Sequence, residues 1–156
     1  MDRRWNARIG VVVSALVAVL ALPGTAAGAA GPKITVKVSP NHGLVGGQSV
    51  TISGRGLVKT YHGSPQTWFI AQCTAAVQGH LDVKTDTPHC NASGAKQITL
   101  GKKGSFSTPF TVVSGTVGDG SCGTAGHSTC VIGVGTVTGL GTVVKIQFKP
   151  TATASG

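Results

Sequence analysis

The residues of this chain that could do chemistry are few. They are four cysteines (Cys73, Cys90, Cys122, Cys130), five histidines (His42, His62, His80, His89, His127) and four acids, all aspartate (Asp2, Asp82, Asp86, Asp119). Cysteines can bridge, ligate zinc or act as nucleophiles. Zinc prefers knuckles with two to four residues between ligands. Here residues 74–89 separate the first two cysteines and residues 123–129 the last two, so zinc is the weaker reading. If the chain is exported, four cysteines imply two disulfides, with three connectivities open. The most local choice is Cys73–Cys90 with Cys122–Cys130. No two histidines share a strand at ligand spacing, and His42 and His62 fall in predicted turns. A metal or acid–base site needs several converging groups. No Gly-x-Ser-x-Gly elbow occurs, and no acid stands where a triad would need one. Asp82 and Asp86 share one long loop and Asp119 lies in a glycine turn, which constrains carboxylate-pair hydrolysis. The chain is therefore read as non-enzymatic, with no catalytic residue, no metal and no cofactor.

The compartment follows from the first residues. Arg3, Arg4 and Arg8 precede an apolar run over 9–22, and small residues follow at 25–30. This is the pattern of a secretory signal peptide, expected over residues 1–29 with Ala27 and Ala29 as the small pair; a cut after Ala27 is the neighbouring choice. A retained anchor is the competing reading, but the run is short of the roughly 20 residues a spanning helix needs. The expected product is secreted, one domain over 30–149, with a disordered tail over 150–156. Removing the leader takes three of 13 cations and one of four acids, so ten cations face three acids, a net +7. That excess favours anionic partners such as cell-wall polymers, anionic lipid or nucleic acid. The plainer reading is solubility, since the cations are scattered and the longest run is Lys102-Lys103.

The elements that must position these residues read as strands. Glycine and threonine are frequent, and turn signals recur about every ten residues, as in an all-β sandwich or barrel. Strands are predicted over 33–39, 48–53, 67–73, 96–100, 105–113, 128–138 and 142–149. Pro109 places its position at an edge or a bulge. Residues 61–65 read as loop. Residues 74–88 form a long loop closed by the first disulfide, with room for a short hairpin near Gly79. The central strand carries the most apolar stretch beyond the leader, Trp68-Phe69-Ile70-Ala71-Gln72-Cys73. Period-two alternation puts Phe69, Ala71 and Cys73 on one face and Trp68, Ile70 and Gln72 on the other. Seven strands fit an immunoglobulin-like Greek-key sandwich. Each cysteine pair is too close in sequence to join the two sheets' central strands, and clips a loop to a neighbouring strand instead.

A run of motifs then suggests a family. Ser39-Pro40-x-x-Gly43-Leu44 leads into Gly47-x-x-Val50-x-Ile52-x-Gly54-x-Gly56-Leu57. Gln72-Cys73, Cys90-Asn91 and Gly104-Ser105-x-Ser107-Thr108-x-x-Thr111-Val112 follow. Cys122, Cys130, Gly133 and Val144-x-Ile146-x-Phe148 close the series. Their order and spacing, over about 34–148, resemble the neocarzinostatin/macromomycin family of enediyne chromoprotein apoproteins. The resemblance implies a seven-stranded sandwich, the two local disulfides, and a cleft between the sandwich and a smaller ribbon. It implies a monomeric carrier holding a non-covalent apolar chromophore, with antibiotic and antimicrobial activity. DNA enters only by family analogy, through the ligand. Carried over residue by residue, the cleft is Ala71, Cys73, Cys90, Val131 and Gly135, and the alternation adds Phe69 as a candidate wall. Where the family places aromatics, this chain has Thr74-Ala75-Ala76, Gly94-Ala95 and a short glycine-rich stretch over 114–121. The family's carriers are acidic and this chain is basic. The family's own chromophore is therefore not expected, and a different small molecule, or none, is left open. The reading from another class is an extracellular basic module that binds envelope polyanions or protein partners and holds no small molecule.

Overall fold

Alternating apolar and polar residues build two packed sheets in the computed structural model, which describes residues 31–150. The leader expected over 1–29 and the tail beyond Pro150 lie outside those residues. In chain order the strands are β1 (Thr35–Ser39), β2 (Ser49–Arg55), β3 (Thr60–Tyr61), β4 (Ser64–Pro65), β5 (Trp68–Thr74), β6 (Lys96–Ile98), β7 (Phe106–Thr111), β8 (Gly115–Val117), β9 (Gly120–Cys122), β10 (Thr129–Gly135) and β11 (Gly141–Gln147). One sheet has the order β1-β2-β7 and the other β11-β10-β5-β6. All their pairings are antiparallel. Consecutive strands cross between the sheets at β2→β5, β6→β7 and β7→β10, the Greek-key wiring expected for this sandwich.

The seven predicted strands are the seven strands of these two sheets. Pro109 sits in β7, an edge strand, where the missing N–H interrupts no inner ladder. Three loop expectations are corrected. Residues 61–65 are not simple loop, because β3 and β4 form a minimal hairpin turned by His62 and Gly63, both at positive φ. Residues 114–121 hold most of a second ribbon, β8–β9. No hairpin forms near Gly79; residues 74–89 contain instead a helical turn, α1 (Val83–Asp86), and a 3-10 turn at Thr87–His89.

The core between the sheets is built from Val50 and Ile52 on β2, Trp68 and Ile70 on β5, Ile132 and Val134 on β10, and Ile146 on β11. The Trp68 indole N–H donates to the Val58 carbonyl at 2.8 Å, so its one polar atom is not stranded. Gln72 is 1% exposed, yet its amide donates to the Val113 carbonyl and accepts from the Val113 N–H, both at 2.8 Å. Among the described residues no helix is long and apolar enough to cross a membrane.

Candidate functional site

The outer face of the four-stranded sheet carries the other half of the alternation. On β5 it presents Phe69, Ala71 and Cys73. Beside them on β10, Gly135 lies opposite Phe69, Gly133 opposite Ala71 and Val131 opposite Cys73. The two glycines leave this face without side chains at its centre. A second, smaller core fills the space: Ala71, Cys73, Cys90 and Val131 pack with Val77 and Leu81 from the long loop.

Three local devices hold that loop down. Cys73 and Cys90 are bonded and also pair as an isolated bridge. The Asn91 N–H donates to the Gln72 carbonyl at 2.8 Å, extending the sheet's edge for one residue. Asp82 caps α1 by accepting from the Lys84 N–H at 2.9 Å, and Asp86 accepts from the Asp82 N–H at 2.8 Å. The two loop acids thus serve the backbone of their own turn. The third acid, Asp119, meets His89 Nδ1 at 2.8 Å, and its N–H donates to the Pro88 carbonyl. That contact ties the β8–β9 turn to the end of the loop. No cluster of three or more metal-ligating side chains occurs among the described residues.

Leu81 is the key to the shape of the face. It is 2% exposed and lies over the glycines of β10 and β11. A Cβ on Gly133 would stand 2.8 Å from the Leu81 Cδ2, and one on Gly135 or Gly141 2.6 Å from the Leu81 carbonyl. The glycines are needed because a backbone approaches this closely. With Leu81 seated, two hollows remain. One, of about 200 Å³, lies between Phe69, Ala71 and Cys90 on one side and Leu81, Val83 and Val137 on the other; Thr87, Ala92 and Ala95 complete it. Its lining is almost wholly carbon. The second, of about 390 Å³, lies on the Val77 side and is lined by Val131, Val143, Gln78 and Lys145 among others.

The six expected cleft residues are thus distributed. Phe69, Ala71 and Cys90 line the apolar hollow. Cys73 is fully buried beneath the face, Val131 lines the second hollow, and Gly135 lies under Leu81. The wall opposite the sheet comes from the disulfide-closed segment and the 136–140 turn rather than from a ribbon. Sequence reasoning missed Leu81, Val83, Ala95 and Val137. The available signal was three bulky apolar residues, Val77, Leu81 and Val83, in a loop that needed none. Val137 is 54% exposed at the rim, held out by a turn in which the buried Thr136 accepts from the Thr138 and Leu140 N–H groups. The chemistry open to this arrangement is apolar binding; no nucleophile or acid–base pair faces it.

No family model matches the sequence, and no curated protein does. Solved structures do. The chain is similar to macromomycin, with a TM-score of 0.54 and 23% identity over 75% of this chain and all of that one. It is also similar to apokedarcidin, with a TM-score of 0.49 and 28% identity over 74% of this chain and 98% of that one. The strand order, the two local disulfides and the likeness to macromomycin agree, and the chain has the neocarzinostatin-family fold.

Proposed function

We propose that the protein is a secreted, non-enzymatic carrier that holds an apolar small molecule against the Phe69–Ala71–Cys90 face. The observation that carries this reading is an apolar hollow lined by Phe69, Ala71 and the disulfide-bonded Cys90, on a fold shared with macromomycin. At about 200 Å³ the hollow is smaller than the roughly 300–1,000 Å³ of ordinary ligand pockets. It takes a compact apolar group as it stands, and a larger one when Leu81 is displaced from the glycines. Any antibiotic or DNA-directed action belongs, in this reading, to the cargo rather than to the polypeptide.

The test is native mass spectrometry of the protein secreted by its producer, beside its denatured mass. The expected result is an added mass present only in the native spectrum. A bare native mass, together with no uptake of an apolar fluorophore by Leu81→Ala, would refute the proposal. If the reading holds, Leu81→Ala takes up the fluorophore several-fold more tightly than the unaltered protein. Its expected stability cost is about 2–3 kcal/mol, the lower part of the range for emptying a buried leucine site.

A further inference from the structure

The opposite sheet carries a site of different chemistry. In β1 and β2, Val38, Val50 and Ile52 point inward, so Thr35, Lys37, Ser53 and Arg55 share the outward face. The register pairs Thr35 with Arg55 and Lys37 with Ser53. The four residues therefore mark the corners of one square, cations on one diagonal and hydroxyls on the other. Diagonal neighbours in an antiparallel pair lie about 7–8 Å apart. Together with Gly54 they line a concavity of about 220 Å³.

The charges here are uncompensated. The described residues hold ten lysines and arginines and three aspartates, and the one ion pair among them is His89–Asp119. Asp82, Asp86 and Asp119 lie on the long loop and the β8–β9 turn, none on the three-stranded sheet. Two cations held on one diagonal of an open sheet repel each other unless an anion sits between them. A guanidinium fork, an ammonium and two hydroxyls lining one concavity suit a tetrahedral oxyanion better than a planar carboxylate. Lys33, on the approach to β1, and the Lys102-Lys103 turn, whose Gly104 carbonyl accepts from the Leu57 N–H just past β2, add further positive charge beside this end of the sheet, which favours an anion that repeats.

We propose that the Lys37–Arg55 concavity binds a phosphate group carried on a linear phosphate polymer. The site is independent of the apolar hollow and stands whether or not that hollow carries cargo.

The experiment uses the chain without its leader, with long-chain polyphosphate and inorganic phosphate as probes. The double variant Lys37→Gln/Arg55→Gln is compared with Lys145→Gln/Lys149→Gln, which removes the same charge elsewhere. The first pair should weaken polyphosphate binding about tenfold and flatten its salt dependence by about two phosphate contacts' worth. The second pair should change it less than about twofold, as expected for a general field effect. On the unaltered protein, inorganic phosphate should shift the amide resonances of Thr35, Lys37, Ser53 and Arg55 selectively. Equal losses in the two variants, scattered amide shifts, or polyphosphate binding no tighter than inorganic phosphate would each overturn the proposal.

Discussion

Gln72 and Leu81 set the two faces of the four-stranded sheet, and each does so by meeting backbone. Gln72 faces inward, where a polar side chain is costly unless it is paired. Its amide reproduces the donor–acceptor pair of a strand neighbour and receives both groups of Val113, just past the end of β7 in the other sheet. The side chain thus bonds one sheet to the other through a residue that has no ladder partner there. Gln72→Met keeps the volume and removes both bonds, leaving two half-buried groups unmatched. The expected loss is about 2–4 kcal/mol at one to two per orphaned group, read as a lower denaturant midpoint with an unchanged slope. An unaltered midpoint would mean that water replaces the amide. Leu81 works by bulk: its contact with Gly133, Gly135 and Gly141 turns one broad face into two hollows.

The segment over 74–90 is the element that sets access to the apolar hollow. It has little regular structure and contributes only Val77, Leu81 and Cys90 to a buried cluster, so its anchoring at both ends matters. The Cys73–Cys90 bridge closes a separation of 17 residues. In the chain-entropy model such a loop stabilises the fold by about 3 kcal/mol. Cys73→Ser/Cys90→Ser should lose about that much. It should also let Leu81 leave its seat, exposing the bond after Lys84. Limited trypsin digestion of the folded protein then yields a new cut after Lys84 that the unaltered protein resists. If both proteins resist equally, the caps of α1 and the Asn91–Gln72 bond hold the segment without the disulfide. The second bridge, Cys122–Cys130, does parallel work for the β8–β9 ribbon, clipping it to β10.

At the scale of the molecule, one core joins both sheets, and two unlike surfaces lie on its outer sides. Residues from all three strands of the first sheet and all four of the second share that core. Small domains with one such core unfold in a single step. Trp68, the one tryptophan among the described residues, reports on its centre at 1% exposure. Its emission and the far-ultraviolet dichroism should therefore give coincident unfolding curves; separated midpoints would show that the 74–90 segment or a ribbon opens on its own. Outside the core, the acids gather over the four-stranded sheet, while the strands of the three-stranded sheet carry cations alone.

Much of this was legible in the order of residues, because strands half-buried in a sandwich repeat every two positions. That period marked the strands over 33–39, 48–53 and 142–149 and put Phe69 and Ala71 opposite Trp68 and Ile70. Turn signals and β-branched content marked the others. The missing N–H of Pro109 predicted an edge or a bulge, of which the edge is the one formed. The local disulfides were legible too, as the pairing of nearest cysteines and as part of the family pattern. What the alternation could not show lies between segments distant in the chain. Leu81 reaches glycines more than fifty positions away, and Gln72 finds Val113 forty-one positions on. The square of Thr35, Lys37, Ser53 and Arg55 exists only in one register of β1 against β2. Period two is a property of one strand and is readable locally. Register, close approach and the filling of a face belong to pairs of segments, and only packing in three dimensions selects them.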